Sequence, residues 1–152
     1  MKTELMKVGI EYKSEIHKLV AEFYGINSKD PLAKKLNGCI TELLNYPKFG
    51  SVFLIKHSGT IAGYIILTFG YTLEYGGRDA FIDEFFIKEE FRNKGVGSFA
   101  LDYIIKYAKT TGLKALHLEV KEKHNEAARL YERKGFGTRK SRFMSLRLSE
   151  DL

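Results

Sequence analysis

Apolar and polar positions along the chain predict strands and helices in a mixed order. Over residues 6–12 every second residue is apolar (Met6, Val8, Ile10, Tyr12), the period of a half-buried strand. After Ser14, a residue suited to capping a helix, the spacing becomes helical: Ile16, Leu19, Val20 and Phe23 recur until Gly25 stops the run. Residues 27–31 form a polar turn, and Leu32, Leu36, Ile40, Leu43 and Leu44 make the stripe of a second helix that ends before Pro47. Two helices directly after one strand exclude a simple βαβ repeat.

Residues 51–56 and 61–71 read as strands joined by the tight connection His57-Ser58-Gly59-Thr60, and are therefore antiparallel neighbours. A loop over residues 72–78 contains Gly76-Gly77 beside Tyr71, Glu74 and Tyr75, and reads as a hairpin connection or as an aromatic wall for a pocket. A central strand follows, with Ala80, Phe81, Ile82, Phe85, Phe86 and Ile87 as its apolar run. Next come a helix over residues 96–111 closed by Gly112 and a strand over residues 115–120, parallel to the central one because a full helix joins them. A short helix over residues 125–134 ends at Gly135, and residues 136–137 and 143–148 are expected to close the sheet as a strand pair. The expected fold is α/β, a mixed sheet covered by about four helices.

At 152 residues the chain suits one domain with one core. No apolar run approaches a membrane span, and the first residues lack the apolar centre of a signal peptide, so a cytoplasmic protein is expected. A single cysteine, Cys39, excludes an internal disulfide; inside a helical stripe it reads as a packing residue rather than a nucleophile. His17, His57 and His117 lack metal-ligand spacing and read as surface or packing residues, so no metal is expected. A net charge of +6 raises the question of a polyanionic partner. The basic residues are scattered, without an aromatic-rich basic stretch to stack bases, so nucleic acid is disfavoured.

Two features carry chemistry. Asp83-Glu84 interrupts the apolar central strand, and strict alternation would put one carboxylate on each face. Burial beside apolar neighbours raises a carboxylate pKa, as a base working near neutrality requires; the alternative is a carboxylate satisfied by nearby donors. The second feature is Arg92-Asn93-Lys94-Gly95-Val96-Gly97, between the central strand and the long helix. Its two glycines permit a tight turn with bare amides at a helix start, where the helix dipole and two cationic side chains favour a phosphate. Ordinary solvated strand-to-helix connections share that composition.

About twenty residues on stands Leu118-Glu119-Val120, followed by His124-Asn125-Glu126-Ala127-Ala128-Arg129-Leu130-Tyr131-Glu132-Arg133-Lys134-Gly135-Phe136. The two stretches in this order resemble the GNAT superfamily of acetyl-CoA-dependent N-acetyltransferases, well over residues 50–140 and by layout alone before that. The resemblance implies a GNAT fold of about seven strands, acetyl-CoA as cosubstrate, and an early helix pair roofing the acceptor side. It implies pyrophosphate held by Arg92, Asn93, Lys94, Gly95, Val96, Gly97 and Ser98, with the backbone of Phe85, Phe86 and Ile87 along the pantetheine arm. The Ile87 amide would polarise the thioester carbonyl. It makes Tyr131 the general acid and Asp83, nine residues before Arg92, the first choice as base, with Glu84 second. One departure stands out: counting back from Tyr131, the family's usual Asn position falls on His124, with Asn125 one residue late, so either would contact CoA.

The reading that results is transfer of an acetyl group to a primary amine by direct attack. Its partner is a small-molecule or peptide amine, with a homodimer left open. Two alternatives are a phosphate- or nucleic-acid-binding module and a GNAT-like sensor that binds CoA without catalysis.

Overall fold

The computed structural model describes residues 2–121 and 123–149. They fall into two compact units, Met1–Glu119 and Val120–Leu152. The first begins with β1 (Thr3–Val8), a 3-10 turn at Ile10–Tyr12, α1 (Lys13–Tyr24) and α2 (Pro31–Asn45). It continues with β2 (Gly50–His57), β3 (Thr60–Thr72), β4 (Gly77–Ile87), a second 3-10 turn at Glu89–Phe91, α3 (Val96–Thr110) and β5 (Leu116–His117). The second unit holds α4 (Asn125–Arg133).

The five strands form one sheet in the order β1-β2-β3-β4-β5. Neighbours are antiparallel through β4, and β5 runs parallel to β4, as expected of strands joined through a helix. Helices cover both faces. Ile16, Leu19 and Val20 of α1 and Ile40 and Leu44 of α2 pack with Val8, Val52, Leu54, Tyr64, Ile66 and Phe86 on one face. On the other, Phe53 meets the rings of Tyr103 and Tyr107 from α3 at 6.0 and 5.0 Å. Burial from both sides explains why β2 and the middle of β3 are buried almost without interruption.

The helix ends follow local chemistry. Asp30 caps α2 by accepting from the Leu32 amide at 2.9 Å, with Pro31 at the first helical position. Gly25, at φ 66°, closes α1 in a left-handed conformation.

Several expectations are corrected. The first strand ends at Val8, because the chain turns at Gly9, whose carbonyl accepts from the Tyr12 amide at 3.1 Å; Ile10 and Tyr12 lie in that turn. The turn runs straight into α1, so Ser14 is a helical residue and no side chain caps the start. Cys39 is exposed and not a packing residue. The sheet has five strands rather than about seven among the described residues. Residues 136–137 and 143–148 form no strand there, since an alternating pattern without a partner builds no ladder. Met144, Leu146 and Leu148 are instead 83–91% exposed.

The last correction concerns β4. Ile66 faces Glu84 across the ladder, yet its neighbour Leu67 faces Ile82, so Asp83 is an extra residue without a cross-strand partner, a β-bulge. Ile82 and Glu84 therefore lie on opposite faces although they are two apart, and the strict alternation expected along this strand is broken at Asp83.

Candidate active site

The bulge turns Glu84 toward the α1–α2 face, where Tyr64 and Phe86 also point. There its carboxylate is held by two phenols. Oε1 accepts from the Tyr64 hydroxyl at 2.8 Å, and Oε2 accepts from the hydroxyl of Tyr24, the last residue of α1. Phe23 packs edge-on to Tyr24 and Tyr64 at 5.2 and 6.3 Å, and lies 5.5 Å from Phe86. The carboxylate is thus framed by rings.

Electrostatics follow from this arrangement. Burial raises the Glu84 pKa, the two hydroxyl donors oppose that rise, and the charge of Asp83 adds to it. Asp83 is raised by burial alone. Burial and the neighbouring Glu84 raise both phenols, with Asp83 adding to each, so Tyr24 and Tyr64 stay protonated donors.

Beyond the carboxylates no strand among the described residues pairs with the outer edge of β4. β5 pairs only with Ala80 and Phe81, whereas β4 runs on to Ile87. The Lys88 amide donates to the Ala62 carbonyl at 2.7 Å, which fixes the phase of the β3–β4 ladder. In that phase Phe86 exchanges its backbone bonds with Tyr64, while Phe85 and Ile87 turn theirs away from β3 toward the edge. The Ile87 carbonyl accepts from Arg92 Nε at 2.9 Å. Of the three residues expected along the cofactor arm, Phe85 and Ile87 turn their backbone groups to this edge and Phe86 does not.

The edge leads into the glycine loop. Asn93 and Gly95 adopt left-handed backbone at φ 60° and 79°, and Gly95 begins α3 with no side-chain cap. The first-turn amides of Val96, Gly97 and Ser98 are thus left for an anion. A Cβ at Gly95 would meet nothing within 4 Å, so the loop has room on that side. Lys94 Nζ lies 6.0 Å from the Phe91 ring centre, and Arg92 and Lys94 are both exposed. Donors, cations and space together fit the pyrophosphate of a CoA-type molecule.

In the second unit His124 precedes α4 as its N-terminal flanking residue, and its carbonyl accepts from the Ala128 amide at 3.1 Å; Asn125 is the first helical residue. Tyr131 follows two turns later, its hydroxyl raised by burial and its ring 5.9 Å from that of Phe136. Gly135, at φ 103°, closes the helix and lets the Phe136 amide return to the Tyr131 carbonyl at 3.1 Å.

Sequence reasoning missed Tyr24 and Tyr64. The available signal was a tyrosine, rather than phenylalanine, among the core positions of β3, since a buried hydroxyl needs a partner. It also missed that Asp79 is buried and bonded to His117 and Thr72. Of the tyrosines flanking the β3–β4 turn, Tyr71 is largely exposed and Tyr75 packs edge-on to His117 at 5.2 Å.

A family model described as acetyltransferase (GNAT) family matches residues 14–136. No curated protein matches the chain. Among solved structures, an integron cassette protein from the mobile metagenome of Cole Harbour Salt Marsh is 28% identical, with a TM-score of 0.82 over 95% of this chain and 90% of that one. A possible acetyltransferase from Clostridium difficile 630 is 16% identical, with a TM-score of 0.80 over 99% of this chain and 100% of that one. A predicted acetyltransferase from Clostridium acetobutylicum, whose structure is with acetyl-CoA, is 17% identical, with a TM-score of 0.73 over 97% of each chain. With the family model covering most of its length, the chain belongs to the GNAT acetyltransferase family.

Proposed function

We propose that the protein is an N-acetyltransferase that moves the acetyl group of acetyl-CoA to a primary amine by direct attack. The observation that carries this reading is the layout of β4: a carboxylate pair at a bulge, followed by a strand edge that no strand among the described residues pairs with and that runs into a loop of bare amides and cations. Acetyl donor and amine acceptor would meet along one strand, with the reacting atoms held at short range.

In this mechanism the first-turn amides of α3, with Arg92, Asn93 and Lys94, hold the pyrophosphate. The backbone of Phe85 and Ile87 lines the pantetheine arm, and His124 and Asn125 add contacts. The Ile87 amide donates to the thioester carbonyl and stabilises the oxyanion that forms there. Asp83 removes the ammonium proton. The amine nitrogen attacks the carbonyl carbon, the C–S bond breaks as Tyr131 donates its hydroxyl proton to the departing thiolate, and the second proton of the nitrogen leaves through water and restores the Tyr131 hydroxyl. Cys39 takes no part, and no acetyl-enzyme forms.

Free-thiol release measured with acetyl-CoA across a panel of primary amines tests the proposal. Amine-dependent thiol, with the acetylated amine found by mass spectrometry, is the expected result. CoA binding without thiol release across the panel would reduce the protein to a sensor, and salt-sensitive oligonucleotide binding in its place would make it a phosphate-binding module.

A further inference from the structure

Glu84 is restrained in a way a surface carboxylate is not. Each of its oxygens accepts one phenolic hydroxyl, Tyr64 from the buried middle of β3 and Tyr24 from the half-exposed end of α1. A carboxylate has about four lone-pair sites, so two remain, and the bonds already made fix where they point. An ammonium group, with its three donors, matches them. Asp83 beside it has no hydroxyl donor among the described residues. The two neighbours therefore suit different tasks: a restrained Glu84 to hold a cation and an unrestrained Asp83 to accept a proton.

The surroundings say what the cation can be attached to. Phe23 and Tyr24, consecutive residues of α1, are 42% and 40% exposed and stand at the rim of this site, offering apolar surface and ring faces to a cationic ligand. Among the described residues neither carboxylate has a lysine, arginine or histidine within salt-bridge distance, and no cation contributes to the titration of either. An acceptor bearing its own carboxylate would meet two like charges with nothing to neutralise them.

Resting on the acetyl-transfer reading, we propose that the acceptor is a primary ammonium on an apolar or aromatic stem without a carboxylate of its own. Glu84 receives it, and Tyr24 is the positioning residue that presets Glu84. The titratable groups facing Glu84 are Tyr24 from α1, Tyr64 from β3 and Asp83 from β4; from α2, Cys39 acts on Tyr24.

The test is calorimetric binding of three probes of one shape to the full chain, with and without CoA: 2-phenylethylamine, phenylalanine and 2-phenylethanol. The parent should bind the amine at least about tenfold tighter than either of the others, the scale of a single charge interaction near a protein surface. Tyr24→Phe keeps the ring and removes the donor. It should weaken amine binding about tenfold, and move the pH at which binding is half lost upward, because the charged carboxylate has lost a hydrogen bond. In turnover assays that loss should fall mainly on the acceptor KM rather than on kcat.

Phenylalanine or 2-phenylethanol bound as tightly as the amine would overturn the acceptor assignment. A Tyr24→Phe protein with parent affinity and parent pH dependence would overturn the role of Tyr24. Selective amine binding without thiol release would sink acetyl transfer and keep this inference, whereas thiol release driven by phenylalanine but not by the amine would do the reverse.

Discussion

His117 Nε2 lies 2.8 Å from Oδ2 of Asp79, a bond that ties β5 to the start of β4. The same oxygen accepts the Thr72 hydroxyl from the end of β3, so one buried carboxylate joins three strands. Burial alone would raise its pKa; the Thr72 and His117 bonds outweigh that and hold it below the usual carboxylate value. A depressed folded-state pKa contributes stability that is fully present above the ordinary carboxylate range and is lost as pH falls through the lower, folded value. Asp79→Asn should therefore cost about 1–3 kcal/mol in urea unfolding at pH 7. The gap between parent and variant should narrow below about pH 4. A gap that stayed constant down to pH 3 would show that the charge of Asp79 contributes nothing.

The glycine loop yields a prediction about affinity. Gly95→Ala forces a Cβ onto a backbone at φ 79°, which costs about 1 kcal/mol or more and tilts the first-turn amides away from their present direction. CoA affinity measured by calorimetry should drop about tenfold for Gly95→Ala, and also drop for a bulkier residue at Gly97. Unchanged affinity in a folded variant would mean the cofactor binds elsewhere.

For the carboxylates, Asp83→Asn should lower kcat/KM by about 10²-fold or more, the range of a lost general base, and abolish the acidic limb of the pH profile. That limb should lie above the ordinary carboxylate range in the parent, because burial raises both groups. Glu84→Gln should act chiefly on the acceptor KM. The reverse ranking would transfer the base to Glu84.

Tyr131→Phe keeps a ring that packs 5.9 Å from Phe136 and deletes only the hydroxyl. If departure of the thiolate limits turnover, kcat should fall about 10²-fold while the KM for acetyl-CoA and the melting temperature barely change. Parent-like turnover would reduce Tyr131 to a packing residue.

What could be read from the sequence was whatever local spacing determines. The glycine loop, the closure of α1 at Gly25 and the tight connection from His57 to Thr60 are each set by a few adjacent residues. Pairings that depend on register were not legible. Tyr24 meets Glu84 across 60 positions and His117 meets Asp79 across 38, and no periodicity encodes such contacts. Residues 143–148 show the opposite error, since alternation describes a strand's faces but says nothing about whether a neighbour exists to pair with it.

The extra residue at position 83 also shifts the phase of β4. Before it, odd-numbered side chains such as Phe81 share the face of Thr68; after it, the even-numbered Glu84 and Phe86 occupy that face. Removing Asp83 would restore strict alternation, with Ile82 still opposite Leu67 and Glu84 still opposite Ile66. Glu84 and Phe86, two residues apart, would stay on the face they now share, so what the deletion takes away is the second carboxylate alone. A relative one residue shorter here would keep the carboxylate held by the two phenols and lose the proposed base, so chain length between Ile82 and Phe86 is a sequence marker for this arrangement that residue identity alone does not provide.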